Sequence, residues 1–406
     1  MPHRVPPLRS GHHLQLLEGS VELFPALIAA IDAAHTEVLL ETYIFDFTGA
    51  SAEVAYALER AARRGVTVMV VVDGVGSSDL PGPSLHRLEM AGVQFHVYSP
   101  PGMFGLLWPG QWRRLHRKLC VVDRAVGFCG GINILDDFHD PNHGALQAPR
   151  LDFALRVTGP LVGAMHEAME RLWRRIVALQ RLRHAHLRGS LMSLRASGTR
   201  AAVPAPPVLS HGLPRAKAAL LLRDNLRNRA VIERAYLRAI GRARQEILIA
   251  NAYFVPGGRM RRALVNAARR GVRVTLLLQG RYEYFMQYYA SRPVFGALLR
   301  AGVEIVEYEP SFLHAKVAVV DGHWATVGSS NLDPLSLLLA REANVIVEDH
   351  AFATRLRKRL LHATEHEGRR MVRDDYESRS AATRAKEWIA LVVMRLLLVI
   401  QGKKYL

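Results

Sequence analysis

Two short stretches of the sequence carry the same three polar residues at the same spacing. The first, Arg114–Asp123, is RLHRKLCVVD, and the second, Phe312–Asp321, is FLHAKVAVVD. Each has a His, a Lys two positions after it and an Asp seven positions after it. One such pattern is common on strands, but two copies in one chain indicate a single site that needs both. The residues are His116, Lys118 and Asp123, and His314, Lys316 and Asp321.

Further matching residues follow each His. A Gly pair in the first copy and Gly-Ser in the second lie 14 and 15 positions past it, and Asn133 and Asn331 lie 17 positions past it. Both Asn residues and Ser329 are candidates for binding substrate. Because Ser329 replaces Gly131, the second copy alone can make an extra hydroxyl hydrogen bond.

These residue types suit exchange at a phosphodiester. If the two copies pair face to face, one neutral imidazole can attack phosphorus and form a phosphohistidine. The other, protonated, can give its proton to the departing alkoxide and take one from the incoming alcohol. Lys118, Lys316 and the Asn side chains can neutralise the non-bridging oxygens. Two fixed cations can replace a metal ion, so we expect neither metal nor cofactor.

A nucleophilic imidazole needs its second nitrogen held, usually by a carboxylate. Candidates lie on the strand that follows each motif: Asp152 in RLDFALRV and Glu342 in REANVIVE. The motif acids Asp123 and Asp321 fall at the strand ends, at turns. We include both in the catalytic motif and expect them to brace the hairpin and the neighbouring Lys.

The sequence repeat extends beyond these stretches. Short apolar, β-rich runs alternate with helix-period segments that end in paired Arg followed by Gly, a signal for a helix C-terminus. This alternation predicts an α/β fold: two tandem α/β/α sandwich domains related by pseudo-two-fold symmetry, with mostly parallel or mixed sheets. The matching pairs are Glu37–Phe45 with Glu246–Phe254, Ala61–Gly74 with Ala267–Gly280, and Ala91–Tyr98 with Ala301–Tyr308.

The domain boundaries follow from composition. The stretch Arg188–Pro214 is rich in Ser, Gly, Ala and Pro and has weak patterning, which is typical of a linker. We expect an N-terminal domain over 1–205, a C-terminal domain over 206–375 and a membrane-interfacial helix within 376–406.

The charge balance points to a polyanionic partner. The chain of 406 residues has 54 Lys and Arg against 36 acids, a formal net charge of +18. Nucleic acid and anionic lipid both satisfy that balance. The two cysteines, Cys120 and Cys129, lie in apolar runs and are expected to be reduced core residues. The cluster DDFHDPNH, Asp136–His143, lacks regular ligand spacing and is interpreted as a polar surface loop.

The motifs HxKxxxxD and the following Gly-rich GxxN resemble those of the phospholipase D superfamily, over most of the chain from about Leu16 to Val347. The longer stretch LHAKVAVVDGHWATVGSSNLDPLSLLLAREANV is similar to bacterial cardiolipin synthases, and the absence of an N-terminal transmembrane pair is similar to their B branch. The resemblance implies metal-independent transfer of a phosphatidyl group between two phosphatidylglycerols, giving cardiolipin and glycerol. It also implies His116 as nucleophile and His314 as acid and base.

Three segments bear on membrane contact. Pro101–Trp112 and Arg281–Tyr289 are apolar insertions before the catalytic strands and are interpreted as lipid-facing walls, or alternatively as a core plug. In the C-terminal segment, Trp388–Ile400 is too short and too charged to span a bilayer, so it is expected to lie at the interface or to pack on the body. Together with the net charge, this predicts a peripheral protein on the cytoplasmic face of a bacterial inner membrane.

Two rival functions remain open on the residues alone. A phosphodiesterase acting on nucleic acid would use the same motif residues, although the apolar insertions argue for lipid and against a nucleic acid partner. A catalytically inactive membrane scaffold is disfavoured, because both motif sets are complete.

Overall fold

The computed structural model of the chain describes residues 5–100, 113–188, 216–224, 228, 230–281, 285–333 and 340–400. The predicted boundary near residue 205 and the insertion at 101–112 lie outside the described residues. The first half contains β1 (Arg9–Glu18), α1 (Gly19–Asp32), β2 (Glu37–Thr42), α2 (Gly49–Arg63), β3 (Thr67–Asp73), α3 (Gly82–Met90), β4 (Gln94–Tyr98), β5 (Arg114–Leu115), β6 (Leu119–Val122), β7 (Val126–Gly130), β8 (His139–Asp140), β9 (Gly144–Ala145), β10 (Phe153–Thr158) and α4 (Pro160–Arg188).

The second half repeats the main order of elements, without counterparts of β5, β8 and β9 among its described residues and with three further elements at its end. It contains β11 (Ala216–Arg223), α5 (Val231–Arg242), β12 (Glu246–Asn251), α6 (Gly258–Arg269), β13 (Arg273–Gln279), α7 (Phe285–Arg300), β14 (Glu304–Tyr308), β15 (Lys316–Val320), β16 (Trp324–Gly328), β17 (Ala340–Glu348), α8 (His350–His366), β18 (Gly368–Arg370), α9 (Arg373–Glu377) and α10 (Ala381–Ile400).

The predicted helix ends are found where the sequence signals them. The helices α2 and α6 stop just before Gly65 and Gly271, whose φ angles of 87° and 86° lie in the left-handed region that suits glycine. The strands that follow, β3 and β13, are buried apart from their first residues and the end of β13, as expected for strands covered on both faces.

Among the described strands, all except β8 and β9 belong to one sheet that runs through both halves. The order β14-β13-β12-β15-β16-β17-β11 in the second half mirrors β4-β3-β2-β6-β7-β10-β1 in the first. The halves join where β1 pairs antiparallel with β11. In each half, three strands are parallel (β2, β3, β4 and β12, β13, β14) and the other neighbours are antiparallel. This palindromic order confirms the predicted mixed α/β architecture with pseudo-two-fold symmetry.

Helices cover both faces of the sheet. On one face, α4 and α8 pack over a core cluster that contains residues of both halves, including Leu155, Met165, Val345 and Leu356. On the other face, helices α1 and α2 cover the first half and α5, α6 and α7 cover the second, each over its own cluster. The sheet joint and the shared cluster hold the two halves as one body, which sets the motif segments against each other.

Candidate active site

The two segments that carry the motif His residues contact the opposite half of the chain through their backbone. The short strand β5, immediately before His116, pairs with β17 of the second half, and the His116 N–H donates to the Arg341 carbonyl at 3.0 Å. In the same way, the His314 N–H donates to the Leu151 carbonyl of the first half at 2.9 Å. Each His is therefore fixed by backbone of the opposite half.

The imidazole rings also take their carboxylates from the opposite half. His116 Nδ1 lies 3.1 Å from both oxygens of Glu342. His314 Nδ1 lies 2.6 Å from Asp152 Oδ2. Contact at Nδ1 leaves Nε2 of each ring for chemistry. The sequence identified the two acids but not this exchange of partners between the halves.

The motif lysines are buried beside the rings. Lys118 Nζ donates to the His116 carbonyl at 2.9 Å, and Lys316 Nζ donates to the His314 carbonyl. Lys316 Nζ also lies 3.9 Å from Asp152. Burial lowers the pKa of Lys118 to about 7. An anionic phosphodiester would supply the negative charge that favours the protonated ammonium.

Burial and nearby charges shift pKa values within the two His–carboxylate pairs (dyads). Burial lowers the pKa of both His116 and His314, and for His314 the nearby cations, first Lys316, lower it further. Burial also raises the pKa of Asp152 to about 7. These shifts favour a neutral imidazole at His116, and they favour a proton on Asp152, which it can share with His314, up to about pH 7.

The three residues predicted to bind substrate have different surroundings. Asn133 Oδ1 accepts the N–H of Ile44 at 3.2 Å. Asn331 is 2% exposed, and its Oδ1 has no hydrogen-bond partner within the described part of the chain. Ser329 Oγ donates to Glu342 Oε2 at 2.5 Å. The extra hydroxyl bond expected in the second copy is therefore made to the carboxylate that holds His116.

Asp123 and Asp321 lie away from the rings, at the far ends of β6 and β15. Asp321 accepts three backbone N–H groups, each at 2.9 Å, from the turn between α5 and β12. Asp123 binds the equivalent turn between α1 and β2. The motif Lys lies five residues away along the strand, about 16 Å. Both acids thus fasten a helix–strand turn and do not brace the Lys as expected.

Two positioning residues escaped the sequence interpretation. Asp73 is fully buried at the end of β3, and its Oδ2 accepts the Leu115 N–H, just before His116, at 2.7 Å. Gln279, at the end of β13, does the same for the Leu313 N–H with its Oε1 at 2.9 Å. Both are the polar residue before Gly in the matched stretches ending VVVDG and LLLQG, so the repeat itself contained the signal.

The loop Asp136–His143 packs its His143 ring 5.0 Å from the ring of Phe312, two residues before His314, and is not simply a surface loop. Asp137 and Asp140 are only 5% and 4% exposed. Asp140 accepts from Arg150 at 2.8 Å, and the positive charge of Arg150 contributes to the lowered pKa of His314. No cluster with the composition of a metal site is found within the described residues.

An open pocket with a cavity volume of about 30 Å³ adjoins the second-half segment that carries His314. It lies between α7 and the carboxyl ends of β12 and β13, and its wall includes Tyr253, Gln279, Arg281, Tyr288 and Arg292. Because Gln279 holds the segment that carries His314, the pocket is next to that side of the site.

Comparison with known proteins places this architecture in a defined class. A phosphatidylserine synthase from Haemophilus influenzae superposes with a TM-score of 0.64 at 11% identity, covering 96% of each chain. A polyphosphate kinase from Porphyromonas gingivalis superposes with a TM-score of 0.56 at 13% identity, covering 96% of this chain and 53% of that one. The fold is that of tandem phospholipase D-like proteins.

Sequence comparison then narrows the class. The family model described as cardiolipin synthase, phospholipase D-like domain, matches residues 27–147 and 236–363. Cardiolipin synthase B of Escherichia coli (strain K12) is 39% identical over 356 residues, 87% of this chain and 80% of that protein. A probable cardiolipin synthase of Bacillus subtilis (strain 168) is 28% identical over 94% of this chain and 72% of its own length. The chain belongs to the cardiolipin synthase family with the phospholipase D-like domain.

Proposed function

We propose that the chain is a cardiolipin synthase that joins two phosphatidylglycerols into cardiolipin and glycerol. The observation that carries the proposal is the pair of imidazoles, each held at Nδ1 by a carboxylate of the other half, with a buried Lys beside each. Family membership supports phosphatidyl transfer as the reaction class.

In the proposed first step, His116 Nε2 attacks phosphorus of one phosphatidylglycerol, and the bond to the glycerol oxygen breaks. The proton held by the Asp152–His314 pair goes to that oxygen, so glycerol leaves neutral. The phosphatidyl group remains on His116 as a phosphohistidine. Lys118 and Lys316 stabilise the charge that develops on the non-bridging oxygens.

In the second step, the terminal hydroxyl of another phosphatidylglycerol gives its proton to the same pair and attacks phosphorus. The bond between phosphorus and Nε2 breaks, which releases cardiolipin and the free imidazole. Two shifts are consistent with this assignment: burial lowers the pKa of His116, which favours a neutral nucleophile, and burial raises the pKa of Asp152 to about 7, which lets it supply a proton through His314.

We place the protein on the cytoplasmic face of the inner membrane as a peripheral protein. None of the helices in the described residues is long and apolar enough to cross a bilayer. The net charge of +18 and the phospholipid substrate of the reaction class support attachment to anionic lipid.

The test is an assay of the purified protein with labelled phosphatidylglycerol vesicles and, in parallel, with single-stranded DNA. We expect a four-chain lipid product that disappears in His116→Ala and persists with EDTA. Cleavage of DNA without lipid turnover would instead favour a nuclease, the second reaction that the motif residues could perform. Loss of activity with chelator would contradict the role given to the two lysines.

A further inference from the structure

The C-terminal helix α10 carries apolar side chains on two opposite sides. The inner side, Ala390, Leu391 and Met394, is buried against Tyr289 and Ala290 of α7 and against Val255. At 100° per residue, a second set lies roughly opposite and faces solvent. This outer side is Trp388 (64% exposed), Ile389 (61%), Val393 (40%) and Leu396 (54%). The helix is thus both packed on the body and apolar on its free side.

An ion pair and a ring contact fix α10 to the catalytic body. Glu387 is 3% exposed and pairs with Arg379 at 2.5 Å. The Arg379 guanidinium lies 3.5 Å from the centre of the Tyr376 ring. The Tyr376 hydroxyl donates to the Arg292 carbonyl in α7 at 2.6 Å. The outer side is therefore exposed on a helix whose position is determined, not on a loose tail.

The residues that pack under α10 are connected by a backbone hydrogen bond to the segment that carries Asn331. The Val255 N–H donates to the Leu332 carbonyl at 3.0 Å, and Leu332 follows Asn331 in the chain. Helix α7 forms one wall of the pocket beside the His314 segment. Thus α7 has α10 on one side and the pocket on another, and the outer side of α10 faces away from the catalytic body.

Among the described side chains of α10, the exposed charges are positive, which favours a negatively charged partner for its apolar outer side. Arg384 and Lys386, in the first two turns of α10, are exposed. The acid of this helix, Glu387, is neutralised by Arg379. A surface that receives bulky apolar side chains and also attracts cations is the interface of an anionic lipid bilayer. An exposed apolar strip of this kind on a soluble face would otherwise favour aggregation.

We propose that the outer side of α10 docks into the surface of an anionic bilayer and, through α7, turns the pocket beside His314 towards the membrane. In this arrangement α10 orients the enzyme as well as attaching it. The proposal rests on the proposed lipid substrate, but docking can be measured without turnover.

The test uses the full chain, since deleting α10 would expose the buried face of α7. Flotation is measured with vesicles of phosphatidylglycerol and phosphatidylcholine, and with phosphatidylcholine alone. The variant Ile389→Ser/Leu396→Ser is compared with the control Val21→Ser/Met90→Ser, which removes apolar groups that are even more exposed (78% and 74%, against 61% and 54%) from α1 and α3. We expect at least about a tenfold loss of binding to anionic vesicles in the α10 variant only.

Turnover gives a second readout. The α10 variant should lose a larger factor of activity on vesicles than on a short-chain phosphatidylglycerol below its micelle concentration. Normal flotation of the variant, or equal loss in the control, overturns the docking proposal whether or not the protein turns over lipid. A change in sedimentation of the variant without lipid would assign the face to a second copy of the chain and also overturn it. Normal docking of an enzyme without transferase activity would contradict the proposed function alone.

Discussion

Ser329 and Gly131 occupy equivalent positions in the two halves and differ by a hydroxymethyl group. The Ser329 hydroxyl donates to Glu342, the acid that holds His116. At Gly131, a Cβ would lie 2.3 Å from Asp152 Oδ1, so any side chain there would collide with the acid that holds His314. One dyad thus has a hydroxyl donor at a position where the other tolerates only glycine. This difference supports different roles for the two His residues.

The hydroxyl of Ser329 should affect the rate of the step that we propose for His116, the attack on phosphorus. We expect Ser329→Ala to slow formation of the phosphohistidine about tenfold, because a hydrogen bond to a charged group contributes about 1.5–3 kcal/mol. The measurement is the burst of p-nitrophenol from a p-nitrophenyl phosphatidyl ester. Ser330→Ala is the matched control, since that buried hydroxyl donates to the Asn331 carbonyl. Equal bursts in both variants would contradict a positioning role.

The leaving group separates the roles of the two imidazoles. A departing p-nitrophenolate needs no proton, whereas a departing glycerol does. His314→Ala and Asp152→Asn should therefore lose about 10²–10⁴-fold activity on phosphatidylglycerol but much less in the burst with the activated ester. His116→Ala should lose both. If His314→Ala abolished the burst and His116→Ala retained it, the assignment of nucleophile and acid would be reversed.

The pH dependence follows from the same groups. The pKa of Lys118 is lowered to about 7 and that of Asp152 is raised to about 7. Raising the pH through this range removes the positive charge of the first and the proton that the second shares with His314. We expect kcat/KM on phosphatidylglycerol, which reports the groups of the free enzyme, to fall above about pH 7. Activity that stays level well into the alkaline range would contradict this account.

At the scale of elements, the motif acids bind turns at the ends of the sheet strands, away from the imidazoles. Asp123 and Asp321 both adopt φ near 50° and bind three consecutive backbone N–H groups of a helix–strand turn. Burial alone would raise the pKa of Asp321, but the bonds from Glu246, Gln245 and Arg244 hold it below its ordinary value. The carboxylate therefore stabilises the fold where it is ionised.

Asp321→Asn should thus lower the free energy of unfolding with little effect on chemistry. The amide still tolerates the left-handed conformation, but it makes weaker bonds, so we expect a loss of about 1 kcal/mol at neutral pH. Because the folded-state pKa is depressed, this difference should persist above about pH 4 and vanish as the pH falls below it. Urea unfolding at several pH values measures it, with the exposed Asp375→Asn as control. A large drop in kcat with an unchanged free energy of unfolding would instead support a catalytic role for Asp321.

The sequence predicted the regular elements better than their contacts. Alternating apolar runs and helix-period segments gave the α/β order, because burial on both faces leaves a clear pattern. The C-terminal helix, predicted within 376–406, starts at Ala381, ahead of the apolar stretch that begins at Trp388, because Ala381–Glu387 are mostly good helix formers without an apolar stripe. The exchange of carboxylates was not predictable, since Asp152 and Glu342 follow their own motifs in the chain and only the sheet order brings each to the other half.

At the scale of the whole molecule, the site exists only where the two halves meet. Each imidazole depends on a carboxylate and a backbone carbonyl from the opposite half. The continuous sheet and the cluster under α4 and α8 keep these distances fixed. Opening the joint between β1 and β11 would separate both dyads at once.

Magnetic resonance can test this crossed arrangement. A ring N–H that donates to a carboxylate gives a resonance far downfield, so each dyad should contribute one signal. We expect Asp152→Asn to remove the His314 signal and Glu342→Gln to remove the His116 signal. His116→Gln and His314→Gln assign the two signals. Loss of the His116 signal in Asp152→Asn would contradict the crossing.

The palindromic sheet also constrains how the two repeats can diverge. Inside the first half, Arg117 and Glu41 form a buried ion pair at 2.7 Å, and the equivalent positions in the second half are Ala315 and Ala250. Both members of that ion pair lie in the same half, so both can be replaced by Ala in the other half without leaving a buried charge unpaired. At the dyads, by contrast, the residue that compensates a change lies in the other repeat. A core substitution in one half can therefore be compensated within that half. At His116, Glu342, His314 and Asp152, a substitution in one half must instead be compensated in the other half.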